Sequence, residues 1–179
     1  MKGKLIAVAA VVLIAVASGG YAIASGMFSP AKGSAAVYIK DPPPVNWSAI
    51  YVTITGISIH NSTSGWHSLP MSTSGISVNL VGVAVTPKLL GSITLAPGHY
   101  QMIRLTMSGT VTGTYKSSTG TSTYSIKLVN TTVFIAGQFT IGTTGVTPIT
   151  LDFDSAQSIH GSPSTGFTMT PVVGETVGK

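Results

Sequence analysis

The stretch Ile50-Tyr-Val-Thr-Ile-Thr-Gly-Ile-Ser-Ile-His60 decides the fold. Ile50, Val52 and Ile54 share one face of an extended chain, and Tyr51, Thr53 and Thr55 share the other. That two-residue period belongs to a half-buried strand. After Gly56 the apolar phase slips by one residue, to Ile57 and Ile59. A glycine at a phase change inside a long strand predicts a β-bulge.

The same period extends outward in both directions. Upstream, Ala35, Val37 and Ile39 alternate with small or polar residues. Three prolines from Pro42 then stop that strand, because proline cannot donate to a ladder. Downstream, Asn61 to Gly65 turns the chain into a short strand beginning at Trp66 and Leu69, and Ile76, Val78 and Leu80 alternate again. Ala96-Pro97-Gly98 signals a tight turn before Tyr100 to Met107. Thr110 to Tyr115 and Tyr124 to Val129 flank the polar tip Lys116 to Thr123, a hairpin by spacing. Val133 to Ile135, Phe139 to Ile141, Ile149 to Phe153 and Phe167 to Val173 complete the set. Only Pro87 to Leu90 fits a short helical turn. Roughly eight to eleven strands, with turns every ~8–12 residues, predict an all-β fold: a single antiparallel β-sandwich, Ig-like or jelly-roll-like, over residues 34–179.

Composition agrees and excludes several functions. Of 179 residues only 7% are charged, against roughly 25% in an ordinary soluble domain. Serine and threonine, 22 and 24 in number, fill the vacated surface, while 44% hydrophobic residues supply a core. An acid-rich metal buffer needs more than four Asp and Glu, and a disordered polymer needs more charge. The formal charge of +5 arises from scattered lysines and one arginine. A nucleic-acid surface clusters its bases on one element, so that partner is excluded. With no cysteine there is no disulfide framework, thiolate metal site or cysteine nucleophile.

Residues 1–24 read as a signal peptide. Lys2 and Lys4 precede the apolar run Leu5 to Val16, and Ala22-Ile23-Ala24 supplies the cleavage box. A permanent anchor is the first alternative, weakened by Gly19 and Gly20, and a class III prepilin signal is the second. Cleavage after Ala24 leaves a lead over residues 25–33. The membrane is then met only during export.

Several blocks, taken in order, resemble a known family. They are Val37-Tyr-Ile-Lys-Asp-Pro42, the Ile50 to His60 strand with Gly65-Trp66, Leu89-Leu-Gly91, Leu95-Ala-Pro-Gly-His-Tyr-Gln-Met-Ile-Arg-Leu105, and Leu151-Asp-Phe-Asp-Ser-Ala-Gln-Ser-Ile159 with Pro171. Together they resemble an uncharacterised domain of secreted bacterial and archaeal proteins, often lipoproteins, over roughly Ser34 to Val173. The resemblance implies a secreted β-sandwich and brings no catalytic site. Bacterial members commonly carry a lipobox cysteine, which this chain lacks. A looser likeness of style is to archaeal surface thread and pilus subunits, glycosylated β-domains that polymerise by donor-strand complementation.

The candidate chemistry is sparse. Asp152 and Asp154 share a strand face with carboxylates roughly 6–7 Å apart by strand rise. Three roles fit them: a structural ion pair with Arg104 plus a cap at Ser155, a hard-cation site, or a glycosidase pair. The structural role is preferred, since a guanidinium fork suits a buried carboxylate and no known catalytic motif accompanies the pair. His60, His67, His99 and His160 lie near turns with no local ligand pair. Trp66 is expected to cover one end of the sandwich, and Trp47 to be exposed in a proline-flanked loop. Tryptophans and tyrosines are also the raw material of a sugar-stacking platform. Asn46, Asn61 and Asn130 head N-x-S/T sequons at turns or strand ends, where N-linked glycans attach.

The reading is a non-enzymatic extracellular protein of the cell surface with no cofactor. Its expected task is to be a filament subunit that polymerises with itself by N-terminal strand donation. Met27, Phe28, Ala35, Val37 and Ile39 are the side chains that would fill a neighbour's groove, because charged gatekeepers are nearly missing from the strand edges. The equal alternative is that Val37 to Lys40 completes its own sheet, as the family resemblance implies. The competing reading is an adhesion module that binds a carbohydrate or another surface polymer. With four acids in all, the fold is expected to be indifferent to acid.

Overall fold

The long strand is β2 (Trp47–Asn61), and it organises the larger of two sheets. The computed structural model describes residues 31–42 and 44–178. On one side β2 pairs with β7 (Thr110–Ser117) along its first half and with β6 (Gly98–Met107) along its second. Its other side carries β4 (Ile76–Asn79) and β3 (Gly65–Ser68). The β2–β6 register shifts between Ile54 and Gly56, so the bulge lies where glycine interrupts the phase. As a result Ile50, Val52, Ile54, Ile57 and Ile59 all reach the core, none more than 1% exposed. From β7 the chain returns as β8 (Gly120–Leu128), with Ser117 opposite Gly120. The hairpin is the expected one, with a tighter tip. Beyond β6 lies β9 (Thr132–Ile141). The far end of the sheet is built by β12 (Gly166–Met169) and β11 (Ile159–Ser162).

The smaller sheet runs β13 (Val173–Val177), β10 (Val146–Phe153), β1 (Gly33–Lys40), β5 (Lys88–Leu95). The inner faces of the two sheets merge into one apolar cluster. Ile39, Ile103, Leu105, Ile149, Leu151 and Phe153 are fully buried in it. Each such side chain contributes about 1.5–3 kcal/mol on burial. The fold is therefore an all-β sandwich, as the periodicity predicts.

Some details differ from the sequence expectation. Thirteen strands are present among the described residues: β5 forms where a helical turn was expected, and β11 and β13 carry too few residues to show a period. Two ladders, β1–β10 and β12–β8, are parallel within an otherwise antiparallel architecture. No helical turn forms at Pro87 to Leu90: Lys88 opens β5, which pairs with β1 and buries Leu90 and Leu95. Helical geometry appears instead as a single 3-10 turn at Val81–Val83 and as α1 (Ser155–Ser158). No described helix is long and apolar enough to cross a membrane.

In this single chain the expected donor strand completes its own sheet. β1 lies between β10 and β5 of its own sheet, with Ala35, Val37 and Ile39 fully buried in its own core. Its alternating apolar face fits this groove as well as it would fit a neighbour's, which is why the pattern alone left both readings open. Met27 and Phe28, with the expected signal peptide and most of the expected lead, lie outside the described residues.

Candidate functional site

The carboxylates gather on the smaller sheet, and three of the four are spent on structure. Asp41 follows β1 directly and is 1% exposed. Its carboxylate accepts from the Ser155 N–H at 2.8 Å and from the Ser155 hydroxyl at 2.6 Å. Burial pushes its pKa up to about 6, against the lowering pull of those two hydrogen bonds, and the negative charges of Asp154 and Asp152 push the same way. Asp152 pairs with Lys40, directly opposite it across the β1–β10 ladder, at 3.0 Å. Asp154 caps α1, accepting from the Gln157 N–H at 2.9 Å and the Gln157 side-chain amide at 2.6 Å. Glu175, on β13, has one carboxylate oxygen buried without a partner, and burial raises its pKa.

This corrects the expected Arg104–Asp152–Asp154 cluster. Asp154 does cap the turn at Ser155, but neither aspartate meets Arg104. Arg104 is on β6, in the larger sheet, and Ile103 and Leu105 point inward on either side of it. Parity therefore turns Arg104 to the outer face, away from the smaller sheet. The missed residue was Asp41. Its signal was phase: Asp41 comes next after Ala35, Val37 and Ile39 on the inward face of the alternating strand. Among the described residues no three His, Asp or Glu side chains are grouped to hold a metal ion.

The outer face of the larger sheet carries a different kind of site. Register places His60 opposite Trp66, Ser58 opposite Ser68 and Arg104, and Arg104 opposite Phe134. The Arg104 guanidinium lies 4.8 Å over the Trp66 ring and donates to the Ser58 hydroxyl at 3.2 Å. Ser58 in turn shares a 2.9 Å hydrogen bond with Ser68. His60 and Trp66 rings are 4.8 Å apart, and Trp66 and Phe134 rings 6.1 Å apart with their planes at 57°. Trp66 is 37% exposed and Phe134 60%. Beside this strip an open depression of about 410 Å3 is lined by polar residues, Ser68 and Thr106 among them, and by the apolar Leu69 and Met71, with Arg104 on its wall. Four strands hold the strip, so its geometry is set by ladders and not by loops.

The expected roles of the two tryptophans are reversed. Trp47 is 7% exposed and packs among Tyr115 and Phe167, while Trp66 faces outward. Phe134 was overlooked as a site residue. Its signal was parity: with Val133 and Ile135 in the inward phase, a large aromatic between them must face out. The remaining histidines are dispersed. His67 lies by Ser64 and the Tyr100 ring, His99 bonds Thr140, and His160 is exposed on β11.

The three sequon asparagines differ. Asn46 is exposed in a turn with φ of 69°, a conformation asparagine tolerates better than most residues. Asn130 is exposed between β8 and β9. Asn61 is tied down, with its amide donating to the His99 carbonyl at 2.8 Å and its oxygen accepting from the Thr63 N–H at 2.8 Å.

Residues 32–171 match the family model described as "Domain of unknown function (DUF4382)". No curated protein and no solved structure matches the chain.

Proposed function

The chain belongs to the DUF4382 domain family, and from that premise we propose that it is a non-catalytic adhesion domain of the cell surface that binds a polysaccharide. The single observation that carries this reading is the exposed strip Trp66–Arg104–Phe134 on the outer face of the larger sheet. An aromatic ring presents an apolar face to the C–H face of a sugar, and the flanking His60, Arg104 and serine hydroxyls supply directional hydrogen bonds. Two exposed aromatic rings in contact form a patch, whereas singly scattered apolar side chains need no explanation. Three of the four carboxylates, by contrast, are engaged by hydrogen bonds at the start of α1 or by an ion pair. The export signal of residues 1–24, if used, delivers the domain to where such polymers are found. Affinity electrophoresis of the protein in native gels cast with neutral and acidic polysaccharides tests the reading. At least one polymer should retard it, and Phe134→Ala should abolish the retardation. Equal mobility in every gel argues against the reading.

The filament reading keeps one supporting observation. β1 is the first described strand and an inner strand of its sheet. If it leaves, a groove opens between β5 and β10 that the same strand of a second copy fills with the same contacts. Polymerisation is then an exchange of β1 between copies, and head-to-tail exchange does not close. Microscopy of surface material, comparing the whole chain with one lacking residues 25–39, separates the two readings: fibres lost on truncation favour exchange.

A further inference from the structure

We infer that the polysaccharide bound at the outer strip is a carboxylated one, read by Arg104; this rests on the polysaccharide-binding reading and gives it a ligand class. The first support is the partition of charge between the two sheets. All four acids of the chain, Asp41, Asp152, Asp154 and Glu175, lie on or directly after strands of the smaller sheet. The strands of the larger sheet contain no acid at all and carry Arg104, Lys116 and Lys127. A surface of one sign attracts a ligand of the other and repels like-charged competitors.

The second support is the state of Arg104 itself. The ion pair among the described residues is Lys40–Asp152, on the other sheet. Arg104 has five N–H donors, and one hydrogen bond to Ser58 engages it here. The Trp66 face and the Ser58 hydroxyl fix the plane of the guanidinium, so its fork is oriented before any ligand arrives. A planar, pre-oriented fork matches the two oxygens of a carboxylate. Beside it, Phe134 offers an exposed ring and the depression offers hydroxyls. A uronate ring satisfies all three at once: its C–H face on Phe134, its carboxylate on Arg104, its hydroxyls toward Ser68 and Thr106, while the buried Ser58 hydroxyl stays engaged in holding Arg104. The Trp66 and Phe134 rings, 6.1 Å apart and tilted by 57°, pack against each other and present one apolar wall beside the fork.

The test compares polygalacturonate with its methyl ester, which keeps the sugar backbone and removes the charge. Dextran, dextran sulfate and the full-length protein complete the panel, read by calorimetry or affinity electrophoresis at two salt concentrations. Polygalacturonate is expected to bind at least about tenfold more tightly than its ester, the worth of one charge-assisted hydrogen-bonded pair. Arg104→Gln should erase that difference, Arg104→Lys should restore part of it, and Lys32→Gln, which removes an equal charge outside the larger sheet, should leave it intact. The ester comparison needs no variant, so a misfolded Arg104→Gln chain does not blunt the test. Equal affinity for acid and ester would overturn the carboxylate inference while leaving polysaccharide binding in place. Preference for dextran sulfate over polygalacturonate would overturn it too. Retardation by none of the four polymers would sink both readings together.

Discussion

The two tryptophans occupy opposite situations in one sheet. Trp47 starts β2 and is enclosed by Tyr115 and Phe167, at 5.2 and 5.0 Å between ring centroids, with Tyr124 beyond. Gly113 lies directly beneath its ring, so close that any Cβ there would collide with Trp47. Trp66 starts β3 and has an arginine, a histidine and water for company. Both clusters are aromatic, and both sit on β2 and its neighbours. One is closed by edge-to-face packing with no polar group at its centre; the other keeps a cation at its centre and its rings open. An aromatic cluster with a pre-oriented, uncompensated cation is a surface built to meet something, whereas an aromatic cluster over a glycine is a plug.

The sharpest way to break this contrast is to truncate each ring. Trp47→Ala removes a buried indole from a cavity that the rigid β7–β8 hairpin cannot collapse into. It should cost about 3–5 kcal/mol in a urea unfolding experiment. Trp66→Ala, losing a half-exposed ring and one cation–π contact, should cost about 1 kcal/mol or less. Binding should show the reverse order, with Trp66→Ala losing polysaccharide retention and folded Trp47→Ala keeping it. Comparable losses of stability from the two substitutions would end the distinction between plug and platform.

The two charged sites contrast in the same way and give the next effect in size. Asp41 is sealed inside, and its pKa is raised from 3.8 to about 6. A carboxyl whose folded pKa lies above its unfolded one stabilises the fold when protonated. That contribution is fully present below about pH 3.8 and is lost as the pH rises through about 6. Glu175, raised by burial, acts in the same direction. The domain is therefore expected to be more stable at pH 4 than at pH 7, by roughly 2–3 kcal/mol from Asp41 at ~1.4 kcal/mol per unit. This sharpens the indifference to acid expected from counting acids, which supposed depressed carboxylates; burial reverses the sign. Asp41→Asn, which still accepts from the Ser155 N–H, should flatten the slope between pH 4 and 7. A urea midpoint that falls on acidification would contradict the burial account of Asp41.

What the sequence makes legible follows the range over which each signal acts. The bulge at Gly56 is a property of eleven consecutive residues, and it lies where the phase slip places it. The β7–β8 hairpin is equally local. The partner of Arg104 is not local. Parity says only which face a residue takes within its strand, so Arg104 and Asp152 could each be oriented correctly and still point away from each other on separate sheets. The same limit inverted the tryptophans. A proline-flanked loop suggested exposure for Trp47, whereas β7 and β12 close over it from more than sixty residues away. Phe134 needed no long-range knowledge, because its position between two inward residues already turned it outward.

The smallest effect expected concerns where sugar is attached, and it too divides the two aromatic regions. Asn46 immediately precedes the buried Trp47, and Asn61 immediately follows His60 of the exposed strip. Attachment requires the side-chain amide nitrogen to be free. At Asn61 that nitrogen donates to the His99 carbonyl, and the oxygen closes the following turn through the Thr63 and Ser64 N–H groups. Modifying it after folding means breaking the His99 bond and reopening the β2–β3 turn, a net cost of about 1 kcal/mol for each hydrogen bond lost. The side chains of Asn46 and Asn130 make no such bonds among those found, and both residues are exposed. In a host with an N-glycosylation system, peptide mass spectrometry of native material should find glycan at Asn46 or Asn130 in preference to Asn61. The strip is thereby left uncovered on the edge where a bulky glycan would stand beside Trp66. Full occupancy at Asn61 with bare Asn46 and Asn130 would place a carbohydrate of the protein's own over the strip, and would recast the platform as a seat for that glycan instead of for a foreign polymer.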